Sequence, residues 1–427
     1  MNAGLRLDQA PPFHVPLRFF LTAPVFGAAA AIVLLVGGPS TLGSRWSPAL
    51  LAATHLLTLG FLTLVMLGAF MQLLPVLAGS PLRRPRTVAA VVHVLLVAGT
   101  PALAMSFVMP LAGLREAALA MLGVGLGVFL AAAGASLARA AASASVTAMR
   151  LALIGLAVTV VLGILLGANR APSFLGPAPS ATDKHLVWGL VGWVAILVTG
   201  VAYQVVPMFQ LTRSYPERLR SRLVPAIAAA LLVWTVATSV RPTVTGWPDR
   251  IGTFLLAVTL AAFAIATLWL QTTRRRKLPD ATLRFWTLAM ASLFAGVMLA
   301  MAYATGLTGD ARFALLAGAL MIVGFGVSVI EGMLYKIVPF LAWLHLQASG
   351  KAQALPNMKE IVPDERTLPH VRLHGLSILL LAPAVFAPSP WIYPAALALL
   401  ASFLWLGWNL ISATMVYRRA LSRISVA

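Results

Sequence analysis

Residues 60–75 read GFLTLVMLGAFMQLLP, residues 192–207 read GWVAILVTGVAYQVVP, and residues 324–339 read GFGVSVIEGMLYKIVP. Each stretch opens on glycine and an aromatic residue: Gly60-Phe61, Gly192-Trp193 and Gly324-Phe325. Each carries a second glycine (Gly68, Gly200, Gly332) and ends on Pro75, Pro207 or Pro339. A polar side chain, Gln72, Gln204 or Lys336, stands three residues before the proline. Successive copies are 132 residues apart at all of these positions, and Arg18 and Arg150 share the interval, with Arg284 two residues off it. An internal repeat fixes architecture before any local reading does. A period of 132 residues holds four helices. The chain therefore reads as a single polytopic domain over 1–427, built of three pseudo-symmetric four-helix units near 1–140, 141–275 and 276–427.

The composition says where those helices lie. Hydrophobic residues make up 60 % of the chain and charged ones 10 %, with a mean hydropathy of +0.93. A soluble domain runs near a quarter charged, because water must solvate its surface. Apolar runs of about 20 residues recur instead, each long enough to cross a bilayer core as a helix. Only helices and closed barrels satisfy their backbone in lipid, and the runs show no period of two. The expected fold is an all-α membrane protein with helices near 17–37, 48–79, 87–109, 113–137, 150–168, 185–210, 223–240, 251–272, 283–305, 312–346, 373–387 and 391–416. The run starting at Leu17 is long for a signal-peptide core and reads as an uncleaved first helix.

The net charge of +20 would suit nucleic acid if the charge were clustered on one face. It is not. Of the 31 Lys and Arg residues, 23 fall on one set of alternating segments (the two termini and every second loop) and 7 on the other, with Lys336 inside a helix. This asymmetry is the positive-inside rule, and it predicts cytoplasmic N and C termini in a bacterial inner membrane. Clusters such as Arg83-Arg84-Pro85-Arg86 and Arg274-Arg275-Arg276-Lys277 then anchor topology, and the expected partner is the lipid bilayer rather than nucleic acid.

The chain has no cysteine, which removes disulfides, thiolate metal sites, iron–sulfur clusters and covalent haem attachment. His55 lies about 10 Å inside its helix at the usual rise per residue. An intramembrane imidazole at that depth is costly and marks function by default; it is also a natural axial haem ligand. The plainer reading is a histidine bonded to a neighbouring helix. His185 opens the sixth helix and can pair with Asp183 or face a bound group. Glu331 is the one acidic residue in the middle of an expected helix, so it marks a candidate proton or ion route. Tyr335, four residues on, is better placed to meet it than Lys336 at five. Each proline frees the carbonyl four residues back, on Met71, Tyr203 and Tyr335, and Gln72, Gln204 and Lys336 stand where a side chain can re-satisfy the opened turn. His93 and His374 hold comparable places in their units and, if both face the bundle interior, could form a second ligand pair, with structural histidines as the plainer reading; His14, His345 and His370 fall in or beside expected inner loops. The histidines are read as showing neither H-x-x-x-H nor H-E-x-x-H spacing, so a hydrolytic zinc site is not expected, and no phosphate-binding glycine loop is present.

Twelve helices in three units of four resembles subunit I of the haem–copper oxidases. The second helix is similar in Thr54-His55-Leu56, in Gly68-Ala69-Phe70-Met71-Gln72-Leu73-Leu74-Pro75-Val76 and in Gly79-Ser80-Pro81, with a shorter histidine-to-proline distance. The sixth helix resembles the family in His185-Leu186-Val187-Trp188-Gly189-Leu190-Val191-Gly192-Trp193. The resemblance implies b-type haem on His55. It also marks departures: Gly192 stands where the family has a copper-ligating histidine, Pro242 and Thr243 occupy the region of its histidine pair, and the tenth helix has no histidine before His345. The expectation is therefore an oxidase-like protein without copper and without oxygen reduction, similar to haem-binding NnrS-type proteins of nitric-oxide metabolism. It would carry electrons or handle a small ligand such as nitric oxide, beside respiratory or denitrification membrane proteins. Two other readings stay open: a small-molecule or ion transporter on the same frame, with Glu331 and Lys336 lining the path, and an accessory subunit of a respiratory complex without its own cofactor.

Overall fold

In the computed structural model, which describes residues 11–170, 178–239, 247–275, 278–347 and 355–426, twelve helices are long and apolar enough to cross a membrane. They are α1 His14–Leu42, α2 Pro48–Ala78, α3 Pro85–Val108, α4 Leu114–Leu137, α5 Ala144–Gly167, α6 Ser180–Gln210, α7 Glu217–Ala237, α8 Arg250–Thr272, α9 Ala281–Ala304, α10 Ala311–Gln347, α11 Asp364–Phe386 and α12 Pro388–Arg423. No strand occurs among the described residues. The protein is a multi-pass helical membrane protein.

Local signals set the helix ends. Pro48 and Pro85 sit in the first turn of α2 and α3, where the missing N–H costs nothing. Ser143 and Asp280 cap α5 and α9 by accepting from the backbone N–H three residues on, as short polar side chains do at helix starts.

The helices carrying the repeated motif are also the most buried. In the most apolar stretch of α2, α6 and α10, 72 %, 78 % and 61 % of residues are buried, against 33–56 % in the other nine. All three widen into a π-helix over the Gly-aromatic pair, at Leu56–Thr63, Trp188–Ala195 and Leu320–Val327. The starts of these segments are again 132 residues apart. The π segment of α10 packs against those of α2 and α6. Trp193 Nε1 closes the triangle by donating to Thr63 Oγ1 at 3.2 Å.

The second glycine of each motif lets the preceding helix come close. A Cβ on Gly200 would lie 2.0 Å from the Cβ of Ala148 on α5, and one on Gly332 would lie 2.7 Å from the Cβ of Phe285 on α9. Around the central three, α3 packs on α4, α4 on α5, α7 on α8, α8 on α9 and α11 on α12, while α12 returns against α1.

Most boundaries fall within a few residues of those expected, and the main difference is at α11. The helix begins at Asp364 rather than near 373, so His370 is helical and fully buried instead of lying in a loop. Pro369 and Arg372 made this turn read as a connection. Asp364 and Glu365 at its first turn favour the start through the helix dipole. Ahead of it stands a short helix, Met358–Ile361, closed by a capping box between Asn357 and Glu360. Residues 348–354 of the expected inner loop, and Pro242, Thr243, Arg276 and Lys277, lie outside the described residues.

Candidate functional site

Two groups of polar side chains stand inside the bundle, one between α2 and α6 and one in the third unit. In the first, His55 and His185 come together: their ring centroids are 6.3 Å apart and the planes are inclined by 19°. Each ring is fixed by its Nδ1, which donates to a backbone carbonyl, that of Leu51 at 2.8 Å for His55 and that of Thr159 at 3.0 Å for His185. Those bonds set both tautomers and leave both Nε2 lone pairs free. A carbonyl bonded to the far ring nitrogen is the usual support of a metal-ligating histidine. Phe107 lies against His55 with centroids 5.1 Å apart, and Gly163 makes room for His185, since a Cβ there would lie 2.9 Å from its Cε1. Asp183 does not pair with His185; it forms an ion pair with Arg45 instead. The donor set fits iron: two neutral imidazoles, oriented from behind.

In the third unit, Glu331 of α10 is fully buried. His374 Nδ1 lies 3.2 Å from its Oε2 and His370 Nε2 lies 3.7 Å from its Oε1. His370 and His374 stand four residues apart on α11, in the order His370-Val371-Arg372-Leu373-His374, so both project from one face. Tyr335 Oη is 2.7 Å from His370 Nδ1 and accepts from Asn409 Nδ2 at 2.8 Å. Ser402 Oγ of α12 is 2.9 Å from His370 Nε2 and 3.4 Å from His374 Nδ1. Ser328 Oγ meets His374 Nε2 at 2.8 Å. Phe285 of α9 covers both imidazoles, with centroids 5.4 and 5.6 Å away. Among the described residues, no group of three or more His, Cys, Asp or Glu side chains is arranged to hold a metal ion.

Lys336 pairs with Asp280 at the start of α9, Nζ to Oδ2 3.0 Å, rather than with Glu331. Gln72 and Gln204 do not close the turns that the prolines open. They line an apolar cavity of about 130 Å³ on the axis between α2, α6 and α10, with Met66, Phe70, Met208 and Met333 among its walls. Gln72 is buried and its Oε1 has no hydrogen-bond partner there. The cavity borders neither His55 nor His185. His93 and His374 do not form a pair: His93 Nε2 bonds Thr22 Oγ1 at 3.0 Å, against the edge of Phe19. His345 turns back on the carbonyl of Leu341 and packs on Phe13, and His14 lies beside the same inner pocket.

No known family model matches the chain, and a search among curated proteins finds no match. Sequence reasoning marked His55, His185, Glu331 and Tyr335 singly. It missed His370 as a buried residue and overlooked that His370 and His374 form the H-x-x-x-H spacing it had taken to be absent. Ser402 and Asn409 gave no signal, because serine and asparagine are ordinary in membrane helices and only the packing of α12 brings them to the cluster.

Proposed function

We propose that the protein is a b-type haem protein of a bacterial cytoplasmic membrane, that His55 and His185 would hold the haem, and that electron transfer is its task. The observation that carries this reading is the pair itself. Two nearly parallel imidazoles stand 6.3 Å apart on different helices, each tied by Nδ1 to a backbone carbonyl. The oxidase-like resemblance of α2 and α6 supports haem rather than a bare ion. Bound there, haem iron would supply a one-electron couple, and His55 and His185 would be the residues that hold it. The protein residues hold the imidazoles neutral and oriented, while Phe107 keeps water from one ring. Respiratory or denitrification membrane proteins are then the electron donors and acceptors. The excess of Lys and Arg on alternating loops supports the inner-membrane orientation.

The test is an absorption spectrum of detergent-purified protein from haem-replete cells, oxidised and dithionite-reduced, with a pyridine haemochrome assay. The expected result is near-stoichiometric haem b with a six-coordinate low-spin spectrum. His55→Ala and His185→Ala should each lose it, while Glu331→Gln keeps it. Colourless protein would end the haem reading. The second reading is a proton-coupled transporter, which the buried Glu331 cluster favours; under it Glu331→Gln abolishes flux and His55→Ala is mild.

A further inference from the structure

The Glu331 cluster lies apart from the His55–His185 pair and plays no part in the haem reading. Its hydrogen bonds can be followed by asking which group donates at each contact. Asn409 Nδ2 can only donate, so Tyr335 Oη accepts there. The phenol proton then goes to the remaining contact, His370 Nδ1, at 2.7 Å. A neutral His370 that accepts on Nδ1 carries its proton on Nε2 and gives it to Ser402 Oγ at 2.9 Å. The Ser402 hydroxyl, having accepted, can turn its own proton to His374 Nδ1 at 3.4 Å or to the neighbouring Glu331 carboxyl, and the single-direction arrangement is the one in which it turns to Glu331. At the far end, His374 Nε2 is 2.8 Å from Ser328 Oγ; in the tautomer that donates from Nε2 to this hydroxyl, His374 Nδ1 is an acceptor, 3.2 Å from Glu331 Oε2. Every group then donates once along a single direction, provided that one proton sits on Glu331 Oε2.

Charge leads to the same place. Glu331, His370 and His374 are each fully buried, and neither carboxyl oxygen accepts a hydrogen bond of good geometry. No arginine or lysine reaches them among the described residues. From α9 they meet Phe285, from α12 Ser402 and Asn409, from α11 only each other, and from α10 Ser328 and Tyr335. The nearest charged pair, Lys336–Asp280, is satisfied within itself. A lone carboxylate is costly in such surroundings, and a buried ion pair with an imidazolium must repay two desolvations. The neutral acid beside a neutral imidazole avoids both.

The chain also has a direction in the membrane. Tyr335 and Asn409 lie further along α10 and α12 than Glu331 and Ser402, and His370 precedes His374 on α11, which runs the opposite way. The Tyr335 end therefore faces the loops rich in Lys and Arg, and the Glu331 end lies deeper in the bundle.

We propose that Tyr335, His370, Ser402, Glu331 and His374 form a proton-carrying chain that leads from the basic-loop side to one exchangeable proton held on Glu331 against His374. In an inward transfer, hydronium gives a proton to Tyr335 Oη as Oη passes its own to His370 Nδ1. His370 releases the Nε2 proton to Ser402 Oγ, and the serine hydroxyl proton moves to an ionised Glu331. Solvent water is the source, and the reverse sequence restores the start. No electron moves.

Infrared spectroscopy of the purified full-length protein in lipid nanodiscs tests this. A protonated-carboxyl carbonyl band should be present at neutral pH, disappear in Glu331→Gln and move in Glu331→Asp. Transfer to D2O should shift it. Tyr335→Phe and Ser402→Ala should keep the band but slow its shift at least tenfold, while His93→Ala, outside the chain, should not change the rate. Where Glu331→Gln fails to fold, the Asp variant and 13C-labelled glutamate make the assignment. Absence of a band that responds to Glu331 would overturn the proposal. So would exchange at the wild-type rate in both chain variants.

Discussion

At the residue scale, the chain holds one buried acidic group in an ion pair, Asp280, and another as a neutral acid, Glu331. Lys336 and Asp280 form an ion pair in which the lysine keeps 23 % of its side-chain exposure and the aspartate 5 %. Removing one partner leaves the other poorly solvated, although the part-exposed lysine weakens the effect. Lys336→Met should cost about 2 kcal/mol in thermal or denaturant unfolding in detergent, and Asp280→Asn in the same chain should recover part of it. Equal stability of the single and double variants would show that the pair does not couple. Gly163 gives a second test at this scale, because a side chain there reaches the His185 ring without deleting a ligand. Gly163→Val should lower haem content severalfold while the protein still elutes as a single species. Unchanged haem would place His185 outside the site.

These residues also show what a sequence can display. His55 and Glu331 were visible because an ionisable group within an apolar run is costly, and cost is legible one residue at a time. The meeting of His55 with His185 was not legible, since it depends on how α2 and α6 pack. His370 was hidden for a different reason. Its turn contains Pro369 and Arg372, which lower the local hydropathy to that of a loop, and only the long partner helix α12 makes the position a buried one. The three motif-bearing helices were readable in full, but the use of Gln72 and Gln204 was not: a freed carbonyl suggests a bond within the helix, whereas the amides face the axis.

At the element scale, the repeated motif is a packing device. The π-helical stretch places one more residue per turn where α2, α6 and α10 meet, and the following glycine admits the neighbouring helix at backbone distance. Gly200 is the tightest of these contacts. Gly200→Leu must displace Ala148, and overpacking of this kind costs roughly 1–3 kcal/mol or more. A lower melting temperature in detergent is the expected outcome, and an unchanged one would mean that α5 and α6 separate freely. Because α5 carries Thr159 and Gly163, which hold His185, the same substitution should also reduce haem content.

At the scale of the whole molecule, the cavity on the axis of the central trio is walled mostly by apolar side chains, with Gln72 and Gln204 among them, and the two histidine clusters lie elsewhere in the bundle. The two sites thus occupy different interfaces: His55–His185 between the first two motif helices, Glu331 within the third unit. This predicts independence. The double variant His55→Ala, Glu331→Gln should lose haem and the carboxyl band additively, with neither single change affecting the other's signal. Orientation is testable on the same scale: tags after Ser422 and in the loop at 81–84 should be protected from externally added label in intact cells, while one in the loop at 109–113 should react. The reverse pattern would overturn the charge-based topology.

The return of α12 against α1 has a consequence for how the chain can be cut. Neighbours in this bundle do not depend on which helix is made first, and each unit contributes an even number of crossings. A linker joining the two ends, with a new opening in the turn at 138–143 between α4 and α5, would leave every helix pointing as before. Such a rearranged gene should yield protein with the same absorption spectrum: a ring of helices has an order, but no required first member.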